Sequence, residues 1–202
     1  MNYGFIYCLG NEAMPGIYKI GMTDRAPSQR CFELSNTTSA AKPFDLLCYG
    51  EVNDALRIEK QIHADFARYR INRSREFFAL DYRAICDEFT SHTTMLAETP
   101  EGMLEAKRLS LMMGFYGAQS TAEKIEMLLA ALNLAGIRIW SDGDIIRTSR
   151  LLSLESWMTG AVSGLKKDLL PVIPKKEPVT RIMTLLNSQK LAEQSAIKEL
   201  DW

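Results

Sequence analysis

Tyr7 and Lys19 carry side chains that can exchange protons, and their spacing places them on the two strands of a predicted β-hairpin. Residues 5–7 and 17–20 are apolar runs, and the glycine- and proline-containing residues between them predict a turn. Side chains alternate along a strand, so the phenol and the ammonium can share one face of the sheet. A neighbouring ammonium lowers the pKa of tyrosine from about 10, and such a tyrosine can take a proton from water.

A structural interpretation of the same pair is also open. The Lys19 side chain can lie over the Tyr7 ring as an ordinary cross-strand contact, with no role in chemistry. The hairpin taken by itself favours this second interpretation.

Further along the chain lie residue types suited to phosphate chemistry. Arg30 follows Lys19 by eleven residues, inside a predicted helix, and Gly21 allows close backbone approach just before that helix. Glu59 and His63 are four residues apart on a second predicted helix, so both point the same way. Each feature alone is typical of a solvated surface.

A run of arginines follows the second helix. Four of the eight residues from 68 to 75 are arginine, and no acidic residue occurs until Glu76. The members of this run are Arg68, Arg70, Arg73 and Arg75. Planar guanidinium groups suit the recognition of phosphate, although a run of charge is also typical of a solvated face.

The elements that must position these residues follow the order ββαβαβα. Strands are expected at residues 3–9, 16–22, 44–52 and 75–80. Helices are expected from Pro27 to Leu34 with Asp24 or Ser28 as cap, from Asn53 or Asp54 to Tyr69, and at residues 82–97. This order predicts a small α+β domain, a sheet flanked by helices, over residues 1–97.

The remainder of the sequence has a different character. Residues 98–103 are predicted to be a linker, and residues 104–202 a mainly α-helical domain. Helices are expected at 104–116, 121–135, 150–168 and 180–200, with a proline-containing linker at 171–179. Residues 139–173, with a short helix at 142–148, have the pattern of a helix-turn-helix that binds DNA. A helical bundle, or a homodimer formed through these helices, is an open alternative.

Composition excludes several classes of function. The formal net charge is −1, so a site for a polyanion must come from local clustering of charge. The four cysteines are widely spaced and the two histidines lie away from them, which predicts free thiols and no zinc site. Neither a signal peptide nor a membrane span is recognisable. We therefore expect a cytoplasmic protein.

The order of these motifs resembles the GIY-YIG nuclease superfamily over about residues 3–80. Phe5-Ile6-Tyr7, preceded by Gly4, matches the first motif, and Lys19-Ile20-Gly21 matches the second. The closer resemblance is to the compact phage-type branch. The elements that match it are Pro15-Gly16, Lys19 to Thr23, Arg30, Glu33-Leu34-Ser35, Glu59 to His63 and Arg75 to Phe78. Phe5 replaces a glycine found in many members, and Lys19 replaces the second tyrosine of most.

The resemblance implies metal-dependent hydrolysis of a DNA phosphodiester. It implies that Tyr7, activated by Lys19, is the general base and that Arg30 stabilises charge on the phosphate. Glu59 would hold one divalent ion, Mg²⁺ or Mn²⁺, and the arginine run would bind DNA. Further roles are implied for His63, which would orient Glu59 or contact phosphate, for Glu76, which would brace Arg30 or pair with the arginines, and for Tyr18 and Gly21 as supporting residues.

Three functions follow as hypotheses. The first is an endonuclease or nickase of phage or mobile-element type. The second is a catalytically weak DNA-binding or regulatory module on the same scaffold. The third is a scaffold protein in which the C-terminal helices mediate the interaction.

Overall fold

The computed structural model describes residues 3–37, 42–142, 145–149 and 156–163 of the 202-residue chain. The described residues divide into two compact units, with the division between Lys107 and Arg108. Within the described part, no helix is both long enough and apolar enough to cross a membrane.

The first unit is built on a five-stranded antiparallel sheet with the order β4-β2-β1-β3-β5. The strands are Gly4–Asn11 (β1), Ile17–Thr23 (β2), Phe44–Val52 (β3), Phe77–Ala79 (β4) and Leu96–Glu98 (β5). The predicted α+β class is confirmed. Every strand pair of this sheet is antiparallel.

Four helices accompany the sheet. They are Pro27–Ser35 (α1), Ala55–Asp65 (α2), Tyr82–His92 (α3) and Pro100–Gly117 (α4), and a 3-10 turn at Ala67–Tyr69 follows α2. The cap of α1 differs from expectation: Ala26 occupies the N-cap position and Pro27 begins the helix, with no side-chain cap. Proline fits this first turn because its missing N–H has no partner there in any helix. Asp54 does occupy the N-cap of α2, but without a side-chain hydrogen bond.

The two faces of the sheet carry different side chains. Strand register places Tyr7 opposite Gly21 on one side and opposite Tyr49 on the other. Tyr7 and Leu9 pack with Cys31 of α1 on this face, which we call the α1 face. The opposite face carries Phe78, whose ring lies 5.1 Å from that of His63 on α2. Helix α1 and helix α2 therefore cover opposite sides of the sheet.

The C-terminal edge of the first unit differs from the sequence prediction. The helix expected at 82–97 ends at His92, and residues 96–98 pair with β3 as an additional strand. Residues 98–103, predicted to be a linker, form the end of β5 and the start of α4. Thr99 Oγ1 donates to the carbonyl of Leu46 at 2.5 Å and accepts from the Gly102 N–H at 3.1 Å. The sequence pattern did not predict this structure because contacts with β3, which is distant in the sequence, fix the conformation of the segment.

The second unit contains Thr121–Leu134 (α5), Ile139–Asp142 (β6), Ile145–Thr148 (β7) and Ser156–Ser163 (α6). Strands β6 and β7 pair as an antiparallel hairpin, so the short helix predicted at 142–148 is wrong. The β-branched residues Ile145, Ile146 and Thr148 favour a strand over a helix. The linker at 171–179 and the helix at 180–200 lie outside the described residues.

Candidate active site

Tyr7 lies at the centre of the sheet, and its phenol leans over the neighbouring strand. The residue is 2% exposed. A Cβ atom built on Gly21 would lie 2.6 Å from the Tyr7 hydroxyl oxygen and 2.8 Å from its ring carbon Cζ. Only a glycine at position 21 leaves room for the phenol in this orientation. The Ile-Gly end of the second motif is therefore a consequence of where the tyrosine ring lies.

Arg30 reaches the same phenol from α1. Its guanidinium lies beside the Tyr7 hydroxyl, close enough for hydrogen bonding and charge to lower the pKa of the phenol. Glu33, one turn later, accepts from Arg30 Nη1 at 3.5 Å and from Arg25 Nη1 at 2.7 Å. Burial raises the pKa of Tyr7 above its ordinary value, and the hydrogen bond and charge of Arg30 act against that increase. In this structure Tyr7 is a protonated phenol at neutral pH.

Lys19 shares the α1 face with Tyr7, because Gly21 faces Tyr7 and Lys19 is two residues from Gly21 on β2. Its ammonium, however, donates to the carboxylate of Glu76. The Glu76 carbonyl also accepts from the Ile20 N–H at 3.2 Å, which holds the loop before β4 against β2. The cation that hydrogen-bonds to the phenol is thus Arg30, and the direct partner of Lys19 is Glu76. This corrects the expectation that Lys19 acts on Tyr7 by contact, and that Glu76 braces Arg30.

Glu59 approaches the open edge of β2 from helix α2. Strand β4 pairs only with residues 17–19 of β2, so the edge beyond this point is free for side chains. Glu59 Oε1 accepts a hydrogen bond from the Met22 N–H at 2.9 Å. Burial, followed by the negative charge of Glu76, raises the pKa of Glu59, while Met22, Lys19 and Lys60 act in the opposite direction. Glu59 is therefore held at the same edge as the Lys19–Glu76 pair.

His63 lies one turn after Glu59, and the sequence led us to expect that it orients Glu59 or contacts phosphate. Its Nε2 lies 3.0 Å from the carbonyl oxygen of Ile20. A carbonyl only accepts, so Nε2 carries the proton and the ring donates this hydrogen bond. Burial lowers the pKa of His63, which keeps the ring neutral. His63 thus fastens α2 to β2 and so positions Glu59.

The candidate site draws on five separate segments of the chain, which supply Tyr7, Arg30, Glu59, Lys19 and Glu76. Comparison with known proteins bears on this arrangement. Residues 4–91 match the family model of the T5orf172 domain. That segment is similar to a phage-orf-like domain associated with a clan of nucleases. It contains every residue of the candidate site. No curated protein and no solved structure matches the chain.

The T5orf172-like segment has a limited set of metal ligands. Within the described residues no group of three or more histidine, cysteine, aspartate or glutamate side chains is arranged to hold a metal. Glu59 offers one half-buried carboxylate, of which Oε1 already accepts from Met22. Mg²⁺ is commonly held by one or two carboxylates and keeps several of its water molecules. The donor set fits such an ion and does not fit zinc.

The arginine run of the T5orf172-like segment begins in the 3-10 turn, which contains Arg68, and continues through the loop before β4. Arg68 lies 4.7 Å from the Tyr69 ring and Arg70 lies 4.9 Å from the Phe78 ring. Arg73 and Arg75 are exposed on a turn closed by the Arg75 N–H and the Asn72 carbonyl at 3.0 Å. Among the described residues, none of these four arginines is in an ion pair. Their guanidinium charges are therefore available to an external anion.

Tyr18 lies away from the site. Strand alternation turns it to the face opposite Lys19, where its hydroxyl donates to Glu105 and its ring lies 5.8 Å from that of Tyr82. The expectation that Tyr18 supports catalysis therefore gives way to a packing role between β2, α3 and α4. Sequence reasoning did not assign a role to Glu33 or to the Met22 N–H. The matched motif Glu33-Leu34-Ser35 already contained Glu33. No sequence pattern marks the Met22 N–H as a hydrogen-bond donor to a side chain.

Proposed function

We propose that the T5orf172-like segment is a metal-dependent DNA endonuclease or nickase of the GIY-YIG type. The observation that carries this proposal is the buried Tyr7 phenol, which packs over Gly21 and lies beside Arg30, whose guanidinium lowers the pKa of the phenol. A tyrosine and an arginine held together in this way can take a proton from a water molecule and stabilise negative charge on a phosphate at the same position. The similarity of residues 4–91 to a nuclease-associated phage domain supports the same reading.

In this mechanism Tyr7 takes a proton from the attacking water. The phenolate is the form that can accept it, and Arg30 stabilises that form through charge and hydrogen bonding. Arg30 also donates to the non-bridging oxygens of the phosphate, where negative charge increases in the transition state. Because burial raises the pKa of Tyr7, we expect the rate of cleavage to increase with pH.

Lys19 acts on Tyr7 through Glu76. The negative charge of Glu76 raises the pKa of Tyr7 and of Glu59. Burial raises the pKa of Glu76 itself, but the hydrogen bond and charge of Lys19, together with smaller contributions that include the charge of Arg70, leave it below its usual value. Lys19 therefore neutralises a carboxylate that would oppose ionisation of both neighbours. We regard Lys19 and Glu76 as positioning residues.

Glu59 is the residue that would hold a divalent ion, Mg²⁺ or Mn²⁺. A bound ion would supply positive charge to the phosphate and to the leaving oxygen. Helix α2 presents the carboxylate. The Met22 N–H of β2 donates to Glu59, His63 of α2 donates to the Ile20 carbonyl of β2, and these two hydrogen bonds fix the carboxylate at the edge of β2.

DNA is the substrate that the charges favour. The chain as a whole carries a formal charge of −1, so attraction to DNA must come from the arginine run. Arg73 and Arg75 are exposed and without an ion-pair partner in the described part of the chain. We propose that this loop contacts the phosphate backbone beside the scissile bond.

A DNA-binding module without effective catalysis is the second candidate. The observation that favours it is the raised pKa of Tyr7, which leaves little phenolate at neutral pH. Both candidates predict DNA binding, and only the first predicts cleavage that increases with pH. Association of the C-terminal helices into a homodimer remains a prediction.

The deciding experiment uses the purified full-length chain with supercoiled and linear plasmid, in Mg²⁺, in Mn²⁺ and in EDTA. Conversion of supercoiled plasmid to open circle or linear form, dependent on the metal and increasing with pH, is the expected result. Tyr7→Phe keeps the ring and removes the hydroxyl, so it should stay folded and lose about 10²-fold in rate. Metal-dependent cleavage by Tyr7→Phe at the native rate would contradict the assignment of the base. Binding without cleavage under every condition would favour the second candidate.

A further inference from the structure

A chain of three aromatic rings lies on the α1 face of the sheet, beside Tyr7. The Tyr3 and Phe5 ring centroids are 6.0 Å apart with an interplanar angle of 74°. The Phe5 and Tyr49 centroids are 6.2 Å apart at 71°. In an edge-to-face pair the edge of one ring meets the face of the other, so the two rings do not stack face to face. We call Tyr3, Phe5 and Tyr49 the aromatic platform.

Strand geometry ties this platform to the candidate site. Phe5 is two residues from Tyr7 on β1, a separation of about 7 Å along a strand. Tyr49 is the register partner of Tyr7 on β3. The Tyr7 hydroxyl lies over Gly21 of β2, whereas Tyr49 lies on β3, so a phosphate at this hydroxyl and a base on the platform would share one face of the sheet, on the two sides of β1.

The platform opens into a cavity of suitable size and chemistry. A cavity of about 440 Å³ is lined by Phe5, Tyr49, the backbone around Gly50, and Met95, with the polar side chains of Glu51 and Asn53 at its border. This volume falls within the range of sites that hold small organic molecules. Tyr3 is 52% exposed beside it and hydrogen-bonds to Glu51. Flat aromatic walls with a few polar groups at the edge suit a nucleobase, whose faces are apolar and whose edge is polar.

We propose that the aromatic platform stacks an unpaired nucleobase next to the scissile phosphate, so that the preferred DNA has a single-stranded nucleotide at the cleavage site. This inference rests on the proposed function for the position of the phosphate. The carboxylate of Glu51 disfavours the DNA backbone, which directs a base and not a phosphate into the cavity. Tyr3 is the exposed member of the platform, and Phe5 and Tyr49 are half-buried.

The test measures binding in EDTA, where cleavage cannot contribute. Fluorescence anisotropy of the full-length chain is compared for a single-stranded oligonucleotide and for a blunt duplex of the same length. The variant Phe5→Leu/Tyr49→Leu keeps apolar bulk and removes two rings. We expect it to weaken single-strand binding by about 10-fold and duplex binding by less than about two-fold. The control is Tyr116→Leu, which removes a tyrosine that is 65% exposed in the second unit.

A second readout separates stacking from packing. A 2-aminopurine base in the single strand should lose fluorescence when the native chain binds it, and lose less with Tyr3→Ala, which removes the most exposed ring of the platform. Equal weakening for both kinds of DNA, or unchanged quenching, would overturn the inference. Neither measurement depends on cleavage. If the chain binds unpaired DNA as expected but does not cut it, the stacking proposal stands and only the nuclease proposal fails.

Discussion

Gly21 and Tyr7 stand opposite each other on adjacent strands, and the tyrosine ring occupies the space that any side chain at position 21 would need. The close contact is with the hydroxyl oxygen and with ring carbon Cζ, at 2.6 and 2.8 Å from an ideal Cβ. A ring held between two strands and α1 has little freedom to move aside. The pair explains why one motif ends in glycine while the other ends in tyrosine.

Gly21→Ala should therefore displace the Tyr7 ring. We expect cleavage to fall by about 10²-fold, and stability to decrease by about 1–3 kcal/mol, the usual cost of overpacking. Plasmid cleavage and thermal unfolding measure the two effects. Gly117→Ala is the matched control, because no described atom lies within 4 Å of its added Cβ. A fully active Gly21→Ala protein would show that Tyr7 need not lie over β2.

Arg30→Gln should shift the pH dependence of cleavage. Arg30 lowers the pKa of Tyr7 through its hydrogen bond and charge, so its loss leaves burial unopposed and raises that pKa further. The pH–rate profile must move to higher pH, in addition to a general loss of rate from the missing phosphate contact. Single-turnover cleavage from about pH 6 to pH 10 measures this shift. A profile that keeps its midpoint would separate Arg30 from the ionisation of Tyr7.

Lys19→Met should also move the profile to higher pH, through Glu76. Without its partner, the Glu76 carboxylate keeps its charge near Tyr7 and Glu59, and raises the pKa of both. The double variant Lys19→Met/Glu76→Gln removes that charge and should return the midpoint toward the native value. If the shift persisted in the double variant, the lysine would act on the phenol directly.

Glu59→Gln should abolish cleavage and leave DNA binding within a few-fold of native. The amide oxygen can still accept from the Met22 N–H, so the helix should keep its contact with β2. The neutral side chain also removes a charge that burial and Glu76 disfavour, so the melting temperature should not decrease. Asp65→Asn, at the exposed end of the same helix, is the control. Native activity of Glu59→Gln in Mg²⁺ would rule out Glu59 as the metal ligand.

Arg73→Gln/Arg75→Gln should weaken binding to all DNA sequences alike. Each lost phosphate contact reduces the slope of log K against log salt by about 0.9, so the double variant should lose about two units. Binding measured at several salt concentrations gives this slope. Arg83→Gln, which removes an exposed arginine of α3, should leave the slope unchanged. An equal salt slope for Arg73→Gln/Arg75→Gln and for Arg83→Gln would mean that the arginines of this loop are solvated and do not contact DNA phosphates.

The order of elements in the first unit could be predicted from the sequence because it depends on local patterns. Alternating and helical periods marked β1, β2, β3 and the three helices within a few residues. The local rules did not predict β5, because three residues form a strand only where β3 offers an unpaired edge. The local rules also predicted a helix at residues 142–148, whereas residues 145–148 form a strand because they pair with β6.

The candidate site shows the same division between sequence and tertiary structure. Residue types, their order and the resemblance to a nuclease superfamily together selected Tyr7, Lys19, Arg30 and Glu59, because each feature alone is also typical of a structural contact or a solvated surface. Which cation meets which anion was decided only by packing: α1 brings Arg30 to the phenol, and the loop before β4 brings Glu76 to Lys19. Burial then raises the pKa of Tyr7, against the decrease expected from a neighbouring lysine. Desolvation depends on every element around a group, so no motif within one strand contains that information.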